Sequence, residues 1–435
     1  MKKKLRLINP SNAPVNLRGS IFEGLPTALY PSHGLLVLAS MTPPDWSIEY
    51  LDESIGDFRH GSDVDLVAIT LTTSKAKRAY HLADWYKEQG IPVILGGIHA
   101  SSMPEEAGKY GNADVIGEGE LVWEKLLSDF DQNNLKKFYK SSSFINLDIL
   151  PAIKWYLIEP ARYQRPYMIE TSRGCPYNCE YCCSKFFGKQ YRVKSLQSLI
   201  NELSNIPGKH VAFSDDNIIG LRDNALKFFK SIAEKNLEWS AQSTITIGND
   251  PTLLKAAAKS GCKVLVIGID SVRSENFKIA NKKSNQNFPI EDAIKNIQDH
   301  GIRIVGNFIF GFDADDERVF EETVRFCERS GIHAPFFWIL TPYPDTGLYN
   351  RVALEGRIID NDWNHYDSRH VVFKPARMSP EALLEGFQMA FKEAYSSSSL
   401  ERRFLKHSDE MRKEMIPFNK FIKTMSENSI YYYVE

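Results

Sequence analysis

Four of the six cysteines lie between residues 175 and 183, a spacing that indicates metal chemistry rather than disulfide bonding. Cys175, Cys179 and Cys182 are separated by four and three residues, and Cys183 follows directly. Three thiolates at this spacing can wrap one corner of a cube-shaped iron–sulfur cluster and leave one iron open to chelate a substrate. A structural zinc ion usually takes four protein ligands, and no distant Cys-x-x-Cys pair completes such a site. We therefore predict a 4Fe-4S cluster on Cys175, Cys179 and Cys182.

The cysteine segment follows the first of several β-rich runs that alternate with helical stretches. The predicted strands are Tyr167–Thr171, His210–Ser214, Trp239–Ser243, Lys263–Ile269, Arg303–Phe310 and Phe336–Leu340. They predict a partial (β/α)6 barrel over residues 166–345. Active-site residues of barrels lie at the carboxyl ends of the strands. The candidates there are Ser214, Asp215, Asp216, Gln242, Ser243, Asp270, Ser271, Asn307 and Phe310.

Two of these candidates have an alternative role. Asp215 and Asp216 are also suited to capping a helix, because a short carboxylate accepts hydrogen bonds from free backbone N–H groups. The remaining segments are consistent with ordinary turns between strand and helix.

Residues 1–132 have the rhythm of a doubly wound α/β domain of the flavodoxin-like, Rossmann type. The predicted strands are Leu5–Asn9, Ile48–Asp52, Leu66–Leu71, Pro92–Leu95 and Asp114–Ile116. Ligands of such domains bind at the carboxyl ends of the strands. The residues there are Asn9, Asp52, Glu53, Thr70, Thr72, Thr73, Gly96, Gly97, His99, Gly117, Glu118, Gly119 and Glu120. No Gly-x-Gly-x-x-Gly follows the first strand, which argues against a nicotinamide or flavin dinucleotide.

The rest of the chain connects or extends these two units. Residues 133–165 lose the alternating rhythm and are predicted to be a linker. Residues 346–435 form a mostly helical extension with predicted helices at Ser379–Tyr395 and Leu400–Thr424. The three units together predict a multidomain α/β protein.

Charge and hydropathy exclude some classes of partner. The net charge is −2 and no basic tract follows the first four residues, so nucleic acid is not an expected partner. No run approaches the roughly 20 apolar residues of a membrane-spanning helix. We therefore expect a cytoplasmic protein.

The motif Cys175-x3-Cys179-x2-Cys182, with Tyr181 before its last cysteine, resembles the radical S-adenosylmethionine superfamily. The resemblance implies that the open iron binds the amine and carboxylate of S-adenosylmethionine, which is then cleaved to a 5′-deoxyadenosyl radical. It also implies contacts to S-adenosylmethionine from Tyr181 and from the candidates at the barrel strand ends. In this scheme Ser214, Asp215 and Asp216 lie near the amine. Gln242, Ser243, Asp270 and Ser271 approach the ribose and carboxylate, and Asn307 and Phe310 the adenine.

A Rossmann-like domain in front of such a barrel resembles the cobalamin-binding subgroup, which includes hopanoid methylases and the anaerobic magnesium-protoporphyrin cyclase. The resemblance implies that the strand-end residues of the first domain bind cobalamin. The Asp-x-His-x-x-Gly motif that supplies a histidine ligand to cobalt in many corrinoid proteins is missing. We therefore expect no histidine on cobalt, and we expect His99 to hydrogen-bond a loop or a cofactor edge. A corrinoid-free relic domain is the alternative.

These implications predict a methyltransferase that acts on an unactivated carbon of an apolar small molecule. One S-adenosylmethionine would supply a methyl group through cobalamin, and a second would supply the radical. The alternatives are a radical cyclase or rearrangement enzyme without methyl transfer, and a non-catalytic corrinoid or iron–sulfur sensing protein. The resemblance also implies an external electron donor such as flavodoxin or ferredoxin.

Overall fold

Two parallel β-sheets, each of six described strands, organise the chain. The structure is a computed structural model that describes residues 2–12, 28–56, 58, 60–187, 190–286 and 289–427. The first sheet, its helices and the first strand of the second sheet precede the cysteine segment, and the other strands of the second sheet and a helical extension follow it.

The strand order of the first sheet, β2-β1-β3-β4-β5-β6, is that of a doubly wound domain, as predicted. Its strands are β1 (Lys3–Asn9), β2 (Trp46–Asp52), β3 (Leu66–Thr70), β4 (Val93–Gly96), β5 (Ala113–Ile116) and β6 (Phe138–Lys140). Its helices are α1 (His33–Met41), α2 (Ala76–Glu88), α3 (Ile98–Ser102), α4 (Pro104–Ala107) and α5 (Trp123–Asp131). Val67 and Ile69 pack toward α2, whereas Leu66 and Ala68 pack toward α1 and α5. Helices on both faces explain why β3 is an almost continuous apolar run.

Strand β6 corrects the prediction of a linker over residues 133–165. Phe138–Lys140 pairs with β5 and completes the edge of the first sheet. Tyr139 alone of the three is buried, and its hydroxyl donates to Asp129 at 2.9 Å. A single inward residue between the exposed Phe138 and Lys140 gives almost no alternating pattern, so the strand was missed.

The second sheet has the order β14-β13-β12-β11-β10-β7 and is parallel throughout, in agreement with the predicted partial barrel. Its strands are β7 (Met168–Ile169), β10 (His210–Phe213), β11 (Glu238–Ser243), β12 (Cys262–Asp270), β13 (Arg303–Phe310) and β14 (Ala334–Ile339). Its helices are α6 (Leu196–Leu203), α7 (Arg222–Ile232), α8 (Pro251–Lys259), α9 (Ser274–Ile279), α10 (Ile290–Asp299) and α11 (Arg318–Ser330). The predicted first strand is cut short, because β8 (Ser172–Arg173) leaves the sheet to pair antiparallel with β9 (Arg192–Val193).

The extension contains α12 (Gly347–Leu354), α13 (Pro380–Ala394), α14 (Ser397–Phe404) and α15 (Asp409–Glu427). The last two correct the predicted single helix Leu400–Thr424. Ser408 accepts a hydrogen bond from the backbone N–H of Met411, so it caps the start of α15. Arg412 donates to the carbonyl of Phe404 at the end of α14, which also accepts from the backbone N–H of His407. Within the described residues, no helix combines the length and apolar character that crossing a membrane requires.

Candidate active site between the two sheets

The cysteine loop, residues 174–183, begins directly after β8. Gly174 has a φ of 86°, which lets the chain turn sharply into Cys175. Burial, with a smaller contribution from the nearby Cys182, raises the pKa of Cys175 to about 11 and that of Cys179 to about 12. The three sulfurs are therefore close enough to interact, and iron must displace their protons on binding. Within the described residues no three His, Cys, Asp or Glu side chains surround a single point as ligands of one metal ion do.

A buried polar cluster lies beside this loop. The Tyr181 hydroxyl donates to Asp270, and the ammonium group of Lys282 pairs with the same carboxylate. Burial alone would lower the pKa of Lys282, but its interactions, of which that with the Asp270 carboxylate is the largest, outweigh burial and raise that pKa. Gly268 makes room, since a Cβ there would lie 3.1 Å from the Lys282 Nζ. Tyr181 and Asp270, predicted as separate cofactor contacts, are thus neighbours.

Lys282 was missed by sequence reasoning. It is flanked by Asn281 and Lys283, so it looks like an ordinary surface lysine. Only the tertiary structure reveals that its side chain is buried against Asp270.

Of the two aspartates after β10, only Asp216 lines open space. Asp215 is fully buried and accepts hydrogen bonds from the Thr171 backbone N–H at 3.2 Å, its hydroxyl at 2.7 Å and the Ser172 hydroxyl. It therefore supports the strand that leads into the cysteine loop, and its contact with S-adenosylmethionine stays a prediction. Burial raises the pKa of Asp215 to about 7 and that of Asp216 to about 6. Ser214 lines the same space as Asp216.

Phe310 and Ser271 also have structural partners, and their cofactor contacts stay predictions. Phe310 is 1% exposed and stacks on Phe337 with ring centroids 5.5 Å apart, so it belongs to the hydrophobic core. The Ser271 hydroxyl accepts from the side-chain amide of Asn276 at 2.9 Å and from the backbone N–H of Arg273. Both are structural in this arrangement.

The remaining barrel candidates have mixed surroundings. Gln242 is exposed at the end of β11, whereas the buried Ser243 donates to the carbonyl of Thr244. The Asn307 side-chain oxygen accepts from the indole N–H of Trp338 at 3.1 Å. Asn307 therefore orients an aromatic ring.

A cavity of about 420 Å³, which we call the first cavity, lies between the two sheets at the carboxyl edge of the first. One wall contains the predicted cobalamin contacts Asn9, Thr70, Thr72, Gly96, Gly97, Gly117, Glu118, Gly119 and Glu120. The other wall contains Met168, Glu170, Ser172, Arg173, Ser214 and Asp216. The first cavity therefore runs from the glycine loops of the first domain to the strand that precedes the cysteine loop.

The glycine-rich wall fits a bulky ligand. Gly97 has a φ of 104°, and a Cβ there would approach the Leu71 carbonyl oxygen to 2.9 Å. Gly117, with a φ of 84°, closely approaches Ser141. The Thr72 hydroxyl oxygen is buried without a hydrogen-bond partner among the described residues, as expected of a group that a ligand satisfies. These features are consistent with cobalamin.

Four predicted cobalamin contacts do not line the first cavity. Asp52 accepts from Asn9 at 3.1 Å and from the Tyr163 hydroxyl at 3.0 Å, and so fixes the end of β1. Glu53 is held by His60 at 2.9 Å and by Arg78. These two carboxylates are buried behind the cavity wall.

His99 and Thr73 are the other two predicted cobalamin contacts that do not line the first cavity. His99 is fully buried, and its Nδ1 lies 3.3 Å from the Thr73 hydroxyl oxygen. Its Nε2 lies 3.6 Å from Glu106, and the ring of Trp363 packs edge-on against it. His99 thus holds a loop, which is one of the two roles expected for it, and lies outside the cavity lining.

A buried ion network joins the two domains; we call it the Arg173 network. Its members, Arg173, Arg192, Glu118, Glu120 and Glu170, have side chains at most 15% exposed. The Arg173 guanidinium lies 3.1 Å from Glu118 and 2.8 Å from Glu120, and it pairs with Glu170 at 2.7 Å. Arg192 also pairs with Glu118. The carboxylates of Glu118 and Glu120 are therefore engaged across the domain boundary, next to the cysteine loop.

Family comparisons agree with this two-part site. The radical SAM superfamily matches residues 169–327, and the B12 binding domain matches residues 31–127. Residues 346–429 match a domain of unknown function.

Similar proteins span nearly the whole chain. Bacteriochlorophyllide d C-12(1)-methyltransferase of Chlorobaculum tepidum is 30% identical over 92% of this chain and 89% of its own. Hopanoid C-2 methylase of Rhodopseudomonas palustris is 27% identical over 85% of this chain and 75% of its own. The structure of the cobalamin-dependent radical enzyme OxsB, with aqua-cobalamin and S-adenosylmethionine bound, matches with a TM-score of 0.70 at 16% identity. That match covers 98% of this chain and 72% of OxsB and shows the shared fold.

The chain therefore belongs to the cobalamin-dependent radical S-adenosylmethionine enzymes, whose cofactors are a 4Fe-4S cluster, S-adenosylmethionine and cobalamin.

Proposed function

We propose that the enzyme transfers a methyl group to an unactivated, sp3 carbon of an apolar small molecule. The observation that carries the proposal is the first cavity, which is lined both by the glycine loops of the first domain and by Ser214 and Asp216 at the barrel. Cobalamin bound at the glycine loops and S-adenosylmethionine bound at Ser214 and Asp216 would share this space. The names of the bacteriochlorophyllide and hopanoid methyltransferases support the same reaction class.

When bound, the cofactors together supply a hydrogen-abstracting radical and a methyl group. The chain's own residues bind, orient and exclude water. The three cysteines of the motif hold the cluster, and the Lys282–Asp270 pair keeps a balanced charge beside it. The Arg173 network fixes the cysteine loop against the corrinoid domain. A radical acceptor needs no acidic proton, so this reaction needs no strong general base.

A radical cyclisation or rearrangement is the second candidate. It is favoured by the similarity to the anaerobic magnesium-protoporphyrin IX monomethyl ester cyclase of Cereibacter sphaeroides, 24% identical over 71% of this chain and 55% of its own. The two candidates differ in the fate of the methyl group.

The test uses anaerobically reconstituted enzyme, methyl-deuterated S-adenosylmethionine and an apolar extract of the native cells. Methyl transfer predicts a metabolite that gains the deuterated methyl group. It also predicts 5′-deoxyadenosine and S-adenosylhomocysteine in about equal amounts, because each turnover uses two molecules of S-adenosylmethionine in different ways. Substrate consumption with deoxyadenosine, but without label transfer or S-adenosylhomocysteine, would establish the cyclase or rearrangement instead.

The proposed reaction also needs an electron donor to reduce the cluster. A low-potential protein such as flavodoxin or ferredoxin supplies the electron, and the reducing cytoplasm is the compartment in which exposed thiols and an oxygen-sensitive cluster persist.

A further inference from the structure

A second cavity, of about 300 Å³, lies next to the first and is enclosed by three parts of the chain. Thr72 lines both cavities, which connects the second cavity to the corrinoid side. Cys183, the neighbour of the cluster ligand Cys182, lines the second cavity from the other side. A molecule bound there lies between the two cofactor sites, where the substrate of the proposed reaction must be.

The helical extension supplies the third wall through residues 367–369. Ser368 has a φ of 62°, a left-handed conformation that costs a non-glycine residue free energy. Its carbonyl accepts from the Ile339 backbone N–H at 2.7 Å, and its hydroxyl lies 3.0 Å from the Tyr343 hydroxyl. These contacts fix the segment on the end of β14. Strain held in this way is typical of functional loops.

The same extension is also fastened to the first domain. The indole N–H of Trp363 donates to Glu106 at 2.8 Å, and Lys77 pairs with Asp362 at 2.8 Å. The wall formed by residues 367–369 therefore has a fixed position relative to both cofactor sites. A fixed wall can select the shape and charge of a substrate.

The lining of the second cavity is largely apolar and aromatic. Phe186, Trp338 and Tyr343 contribute rings. The indole N–H of Trp338 is occupied by Asn307, and its ring stacks on Phe336, so the orientation of this ring in the lining is fixed. Arg369 is the one cationic side chain among the described lining residues. Asp367, the one acidic residue there, is bound to the ring of His370 at 3.0 Å.

We propose that the second cavity binds the substrate, and that the substrate is an apolar ring-containing molecule with an acidic group that pairs with Arg369. The proposal rests on the proposed function and names its substrate class. Arginine binds a carboxylate through two parallel hydrogen bonds, and apolar walls strengthen such a contact. The aromatic side chains offer the ring system a stacking surface.

The test measures binding of two probes of equal shape, 2-naphthoate and 2-naphthamide, to the cofactor-loaded enzyme by isothermal titration calorimetry. The wild type is expected to bind naphthoate about tenfold more tightly, since only naphthoate offers a charge-assisted pair. Arg369→Gln is expected to abolish that preference, and Arg369→Lys to keep part of it. Trp338→Ala is expected to weaken both probes by a similar factor.

The matched control is Arg325→Gln, which removes an exposed arginine of α11 paired with Glu321, and it should keep the wild-type preference. A wild type without preference for naphthoate, or a preference that survives Arg369→Gln, would overturn the proposal. Probe binding requires no turnover, so either result stands whether or not a methyl group is transferred in the labelling experiment.

Discussion

The four neighbouring thiols of the cysteine loop differ in their surroundings. Cys175 and Cys179 are partly buried and interact with Cys182. Cys183 instead lines the second cavity. Replacing Cys175, Cys179 and Cys182 together by Ala should reduce iron from about four per chain to near zero after anaerobic reconstitution. Cys183→Ala should retain the iron. Iron and sulfide analysis checks both.

Full iron content in the triple variant would show that the cluster is held elsewhere. Loss of iron from Cys183→Ala alone would show that the wrong thiol had been assigned.

Substitution of Gly97 tests whether the glycine-rich wall of the first cavity needs a residue without a side chain. Gly97→Ala adds a Cβ 2.9 Å from a backbone carbonyl at a φ of 104°, and it should destabilise the protein by about 2–3 kcal/mol and lower cobalamin retention. Gly90→Ala, with a φ of 75° but open space around the Cβ, should cost only about 1 kcal/mol and leave cobalamin bound. Urea unfolding and cobalamin absorbance measure the two effects. Equal effects of both variants would rule out a close approach at Gly97.

A local sequence motif is enough to predict a candidate site residue. The direction in which a side chain points at the end of a strand cannot be predicted in this way. The three cysteines are predicted as cluster ligands from their spacing alone, since the loop that carries them is short and continuous. Asp215 and Phe310 lie at the predicted strand ends, but their side chains turn into the loop support and the core. Arg369 carries no sequence signal, because the wall it belongs to forms only when the extension meets the barrel.

At the scale of elements, β5 and β6 bury a carboxyl group at the edge of the first sheet. Neither oxygen of Asp114 has a hydrogen-bond partner among the described residues, and Lys137 lies 3.5 Å away. Burial raises the pKa of Asp114 to about 6, and Lys137 offsets this only in part. Because the folded-state pKa exceeds the unfolded value, this carboxyl group's contribution to stability is greatest below pH 4. Stability falls as the pH rises to about 6.

Asp114→Asn should therefore stabilise the protein more at high pH than at low pH. The expected gain in the free energy of unfolding is about 1 kcal/mol larger at pH 7.5 than at pH 5. The folded wild type must ionise Asp114 between these two pH values, and about one pKa unit of the shift contributes to that cost. Urea unfolding of the wild type and the variant at both values measures the difference. The same gain at both would mean that Asp114 is not protonated at pH 5.

The elements themselves were predictable where the hydrophobic pattern is long. The central strands of both sheets end within a few residues of their expected positions, because helices bury both faces of each sheet. Strand β6 and the break between α14 and α15 were missed for a different reason. Each depends on one residue, Tyr139 or Ser408, whose role appears only through its partners.

At the scale of the whole molecule, the Arg173 network is a buried link between the two cofactor domains. Glu118→Gln removes the charge shared by Arg173 and Arg192, both nearly buried, and should destabilise the protein by about 3 kcal/mol. Glu321→Gln removes an exposed partner of Arg325 and should change stability by less than about 0.5 kcal/mol. Urea unfolding compares them. Equal small effects would show that the network does not hold the domains together.

The cofactor assignment is tested most directly by the 5′-deoxyadenosine that the chain forms from S-adenosylmethionine. The protein is reconstituted anaerobically with iron, sulfide and cobalamin, reduced with titanium(III) citrate, and the nucleoside is quantified by mass spectrometry. Deoxyadenosine is expected from the wild type and is expected to be absent when Cys175, Cys179 and Cys182 are all Ala, because only the cluster delivers the electron that cleaves the sulfonium. A reduced, fully iron-loaded wild type that forms no deoxyadenosine would contradict the assignment.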